Sequence, residues 1–171
     1  AVAVAAFWLC RADPPGGQAA GMRARGESAL GRGDYAAAQA AYAEAAGLEP
    51  ESLESLLGLA SACSARRRFS EAASALEQAS RLPQLGPAEW LRVSRAFGGA
   101  RAPERSLQAC EAALDQDPGL AEAWFDQAQV LADLGREAEA EAAYRQAESL
   151  GRAGAATCRR LAELFAHRGA L

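Results

Sequence analysis

The sequence predicts an all-α fold assembled from repeated helix pairs. Three observations point there. Half of the 171 residues are apolar, much of that alanine, while aromatics make up only 6%; alanine-rich, β-branch-poor sequence favours helix over sheet. Ala and Leu recur at helical spacing, and no stretch alternates polar with apolar residues as a strand does. The pattern also returns at a constant interval of 34 residues, the mark of a stacked repeat. The length suffices for one domain with a sizeable core.

Residues 1–10, AVAVAAFWLC, form an apolar run. As a helix, such a run covers about 15 Å, roughly half a bilayer core. It reads either as the end of a longer hydrophobic segment or as a remnant of processing. Phe7 and Trp8, followed by Arg11, match the interfacial end of a membrane helix and are the predicted anchor. Lipidation at Cys10 is disfavoured, because FWLC lacks the small residues expected before such a cysteine. Residues 11–18, RADPPGGQ, read as a linker broken by two prolines and two glycines.

Frames of 34 residues then run without insertion over 19–52, 53–86, 87–120 and 121–154, and a partial frame opens at Ala155. The fourth place holds Met22, Leu56, Trp90, Trp124 and Cys158. The eighth holds only small residues: Gly26, Ala60, Ser94, Ala128 and Ala162. The eleventh holds Ala29, Cys63, Phe97, Leu131 and Phe165. In the second half, the twentieth place is Ala38, Ala72, Ser106 and Ala140; the twenty-fourth is Tyr42, Leu76, Cys110 and Tyr144; the twenty-seventh is always alanine. Each frame therefore reads as two short helices, the first ending near the fourteenth place. RGDYAAA (32–38) and LGREAEA (134–140) supply a glycine turn between them. Large residues of one helix face small residues of the other, so the pair packs closely. A single pair cannot bury its apolar face, but stacked pairs can. Residues 155–171 read as a helix capping the open end, with Cys158, Leu161 and Phe165 inward and Arg159, Arg160 and Glu163 polar.

These anchors resemble the tetratricopeptide repeat (TPR): an aromatic first anchor, a small residue four places on, then alanine and aromatic anchors in the second helix. The resemblance covers residues 19–154, with the partial frame to 171. Departures are Arg25 and Gln127 at the seventh place, Gln84 and Arg152 in place of the closing proline, and Gly98-Gly99 in the third repeat. The resemblance implies a right-handed superhelical solenoid of antiparallel helix pairs whose first helices line a concave groove. Its groove-facing places imply a partner site of Arg23, Leu57, Leu91, Arg92, Arg95, Phe125, Asp126, Gln129 and Arg159. Leu57, Leu91 and Phe125 would either form an apolar stripe for a helix or extended segment of a partner, or pack between helices. A subtype that grips chaperone C-terminal carboxylates would have its clamp places here at Arg23, Glu27, Gly58, Ala88 and Arg92; only the basic ends survive, and Glu27 would repel the carboxylate. That co-factor role is disfavoured.

Catalytic and metal constellations do not stand out. His167 is the only histidine and falls near the end of the capping helix, where a cation suits the dipole. The cysteines at 10, 63, 110 and 158 form no C-x-x-C pair; Cys63, Cys110 and Cys158 occupy core columns as small buried hydrophobes. RGD at 32–34 coincides with the interhelix turn, where Gly-Asp is favoured anyway. The net charge is −4, and every one of the 18 basic residues is arginine; no basic excess marks a nucleic-acid footprint. The expected function is a non-enzymatic protein-interaction scaffold without cofactor or metal. Residues 1–10 would tether it to a membrane as an accessory or assembly subunit of a bacterial complex. The alternative is a soluble adaptor or chaperone that binds a client peptide in its groove.

Overall fold

The computed structural model describes residues 15–152 together with Arg159 and Arg160. These residues form helices joined by short turns: α1 (Pro15–Gly31), α2 (Tyr35–Leu48), α3 (Leu53–Ala65), α4 (Phe69–Ala79), α5 (Pro87–Gly99), α6 (Pro103–Gln116), α7 (Ala121–Asp133) and α8 (Glu137–Ser149). No strand occurs among the described residues. Second helices begin at Tyr35, Phe69, Pro103 and Glu137, each 34 residues after the last. The first helices α3, α5 and α7 begin and end in the same register. The period read from side-chain columns is therefore also the period of the backbone.

The departure is at the start. The linker expected at 11–18 is in part helix, since α1 begins at Pro15 and runs about a turn ahead of the frame. Proline at a first helical position removes no intrahelical bond, and its fixed φ suits the helix. Gly16 and Gly17 are exposed in that added turn. Phe7, Trp8 and Cys10 lie outside the described residues, as does most of the predicted capping helix; Arg159 and Arg160 are helical and exposed.

Local signals explain the remaining boundaries. Asp34 caps α2 by accepting from the Ala37 amide at 3.0 Å, and Ser52 caps α3 from Ser55 at 3.3 Å. Pro87 and Pro103 open α5 and α6. Every first helix closes with the same two bonds. The amides of Gly33, Arg67, Arg101 and Gly135 reach back three residues, and the next amide reaches back five: Asp34 to Ala29, Arg68 to Cys63, Ala102 to Phe97 and Arg136 to Leu131. This is the Schellman closure, which requires a left-handed residue. Glycine was the expected turn residue, and it fills that place at Gly33 and Gly135, but Arg67 (φ 61°) and Arg101 (φ 56°) take it in the middle repeats.

The chain divides into two compact units, Ala1–Ala79 and Ser80–Leu171. In the first, α1 packs on α2 and α3, α2 on α3, and α3 on α4; in the second, α5 through α8 repeat that order. Each core is the repeat columns turned inward. Ala29, Ala38, Tyr42 and Ala62 form one cluster, with Leu30 and Leu59 against it. Leu91, Cys110, Ala113, Leu114 and Ala123 form another, and Phe125, Ala128, Leu131, Ala140, Ala143, Tyr144 and Ala147 a third.

Candidate protein-interaction surface

The large-against-small rule is sharpest at Tyr42. Its ring lies between two glycines, Gly26 of α1 and Gly58 of α3. A Cβ at Gly26 would come within 2.7 Å of the ring, and one at Gly58 closer still. Tyr42 thus ties three helices together, and burial, with the Glu27 charge, raises its phenol pKa. In the second unit, Tyr144 faces Ala128 and meets Phe125 edge-on, with ring centroids 5.6 Å apart. Trp124 packs on both clusters of that unit, and its indole donates to the Pro118 carbonyl at 2.9 Å. The tryptophan near the start of α7 therefore fastens that helix to the turn before it and to α6 and α8.

The third repeat replaces an aromatic anchor by a buried polar cluster. Ser94 Oγ stands 3.0 Å from both Ser106 Oγ and Cys110 Sγ, and the two serines donate to each other's carbonyls at 2.9 Å. Burial pushes the Cys110 thiol up to about 11. Cys63 and Cys110 are free and buried, as their columns indicate. The columns for Ser94 and Ser106 read only as "small"; serine at both inward places of one repeat was the available signal for a hydrogen-bonded pair.

The first-helix faces differ from the expected apolar stripe. Leu91 is 4% exposed and Phe125 6% exposed, because both complete the packing of their own unit. Phe125 lies against Tyr144 and beneath the Arg152 guanidinium, 4.4 Å from its ring centre. Leu57 is half-buried. In the second unit the open part of the first-helix face is thus mainly polar, not an apolar stripe through Leu91 and Phe125. Asp126 is buried too, and accepts from Arg95 Nε at 2.6 Å. That bond raises the Arg95 pKa further above its ordinary value. Arg95 also approaches Glu122 at 3.5 Å, and Arg152 bonds Glu122 at 3.2 Å. In the second unit the structure brings Arg95, Asp126, Phe125, Glu122 and Arg152 together, with Arg92 exposed and Gln129 half-buried on the same helices. Glu122 and Arg152 were not predicted as site residues; Arg152 stood out in sequence only as a missing proline. In the first unit, Arg23 pairs with Glu49 and lies 3.4 Å from Ser52 Oγ. Arg159 is exposed.

Two family models, both described as tetratricopeptide repeat, match residues 29–92 and 93–157, together spanning three quarters of the chain. The chain belongs to the tetratricopeptide repeat family. Its fold is an all-α helical repeat of the solenoid class, and it is a protein-interaction scaffold of the TPR type. Solved structures of similar fold include the MamA protein, at 18% identity and a TM-score of 0.69, covering 90% of this chain and 84% of that one. PilF of Pseudomonas aeruginosa is similar at 16% identity and 0.69, covering 90% and 70%. YrrB, a TPR protein described as having an unusual peptide-binding site, is similar at 17% identity and 0.60, covering 84% and 74%. No curated protein matches the sequence significantly. Leu91 and Phe125 both stand at the fifth place of their frames, where the TPR register points to the groove, but the packing of this particular chain buries them.

Proposed function

We propose that this TPR chain is a non-enzymatic docking scaffold that holds a segment of a partner protein against the first-helix face of its second unit, with charge setting the register. The observation that carries this reading is Arg95. Its guanidinium is about half exposed, yet the Asp126 carboxylate beneath it is only 11% exposed and fixes it at 2.6 Å. A donor held in place before binding loses less freedom when a partner arrives. Arg92 and Gln129 flank it on the same helices, and charged groups at a rim favour correct partners and fast encounter. YrrB lends support, because a related fold of similar size is described with a peptide-binding site.

The scaffold would be purified with its partners from the native host, and capture compared with an Arg92→Glu, Gln129→Ala variant. Affinity for the principal partner should fall at least about tenfold, or about 1.4 kcal/mol, with helicity unchanged. Equal capture by the variant refutes the first-helix face as the binding surface.

A second reading is favoured by the apolar run at residues 1–10 with Phe7 and Trp8 at its end. Those residues would tether the scaffold to a membrane as an accessory subunit of a bacterial complex. No helix among the described residues is long and apolar enough to cross a membrane, so the reading rests on that run. Co-flotation of the chain with phosphatidylglycerol-containing vesicles, lost on removal of residues 1–10, supports the tether; flotation of neither form leaves the soluble adaptor.

A further inference from the structure

The turn between α3 and α4 carries three consecutive arginines, Arg66, Arg67 and Arg68, all exposed. Two of them are held from below. Arg66 donates to Gln39 Oε1 at 2.5 Å, Arg68 lies 3.4 Å from the same oxygen, and Arg68 pairs with Glu71 at 2.5 Å. Gln39 itself donates to Glu71 at 3.1 Å, so one network on α2 and α4 fixes both outer guanidiniums. Arg67 sits between them at φ 61°, at the place that Gly33 and Gly135 fill in the equivalent turns. A left-handed conformation is unfavourable for any residue with a Cβ and free for glycine. The fold alone would be better served by glycine there, as at Gly33 and Gly135. Arg101 takes the same left-handed place at φ 56° in the next such turn; what sets the 66–68 turn apart is that its left-handed residue lies between two further arginines, both already held.

We propose that Arg66–Arg68 is a docking point for an acidic segment of a partner protein, distinct from the first-helix face. Guanidinium groups match carboxylates with paired hydrogen bonds, and here the outer two are already placed. The segment is short. The chain as a whole carries −4, and exposed charges are screened beyond about 8 Å at physiological salt. A few glutamates engage the turn within that distance. An extended polyanion, whether nucleic acid or anionic bilayer, would lay most of its charge against an acidic protein.

The test compares the full chain with Arg67→Gly, using a fluorescein-labelled hexaglutamate peptide, oligodeoxythymidylate and phosphatidylserine vesicles at equal salt. The peptide should bind best. Arg67→Gly should weaken it about fivefold or more while raising Tm by about 2–4 °C, since the strain is relieved. Arg92→Glu, on α5, should leave peptide binding unchanged, which separates this site from the first-helix face. Unaltered peptide binding in Arg67→Gly overturns the proposal, as does tighter binding of DNA or vesicles. A lowered Tm also overturns it, because Arg67 would then serve the carbonyl end of α3.

Discussion

Replacing Gly58 by alanine sets two forces against each other. Inside a helix, alanine is ordinarily better than glycine by roughly 0.5–1 kcal/mol. Gly58 lies within α3, so propensity alone predicts a gain. The packing predicts the reverse. A Cβ there would stand 2.5 Å from Cζ of Tyr42 and nearer to two other ring carbons. The ring cannot retreat, because on its other side it packs against the Gly26 backbone so closely that even a Cβ built there would lie only 2.7 Å from it. Overfilling a packed core costs about 1–3 kcal/mol, which outweighs the propensity gain and leaves a net loss of about 1 kcal/mol. With a urea m-value of about 2 kcal/mol/M, the midpoint moves down by roughly 0.5 M. Urea titration followed by circular dichroism reads the shift. Gly21→Ala is the control: it lies within α1 with nothing within 4 Å of its Cβ position, and should move the midpoint up. In a Tyr42→Leu background the penalty of Gly58→Ala should shrink, giving a coupling of at least about 0.5 kcal/mol. A midpoint for Gly58→Ala at or above that of Gly21→Ala would refute the clamp between glycines.

Further outcomes follow from the same packing. Gly135→Ala should cost about 1 kcal/mol by thermal unfolding although nothing lies within 4 Å of its Cβ position, because φ is +72°; an unchanged Tm would show that the left-handed turn relaxes freely. Phe125→Ala should destabilise by about 3–5 kcal/mol rather than act only on partner capture, since its ring is buried against Tyr144 and Arg152. Chemical denaturation reads that directly, and a wild-type midpoint would restore the residue to the docking face. Cys110 should resist iodoacetamide at pH 8 in the folded chain. Its thiol pKa is raised by burial from 9.0 to about 11, so its share of stability is complete below pH 9 and is lost as pH rises toward 11. That loss is about 2–3 kcal/mol. Cys110→Ser should flatten the stability profile over that window; an identical slope in the variant would assign it to other groups.

Much of the architecture was readable from residue types alone. A period of 34 with small residues at fixed places dictates helix pairs in register, and the second helices begin at that interval without slippage. The reason is local: helix formers, proline and cap residues, and a turn after the fourteenth place act within a few positions of themselves. The start of α1 is not legible in the sequence, because Pro-Pro-Gly-Gly reads as a breaker whereas proline in the first turn is compatible with a helix. Arginine in the left-handed turns of the middle repeats was equally illegible, since the backbone bonds impose that conformation whichever residue is present.

The candidate surface was legible as a set of positions but not as chemistry. Sequence register placed Leu91, Arg92, Arg95, Phe125 and Asp126 on first helices. It could not rank them by exposure, because burial depends on partners distant in the chain. Phe125 disappears under Tyr144 and Arg152, 19 and 27 positions later, and Asp126 beneath Arg95, 31 positions earlier. The sequence by itself determined which residues share a helix face. Only tertiary packing decided which of them face a neighbouring helix and which remain open, because that choice is a balance of volumes and charges between elements that local propensity does not encode.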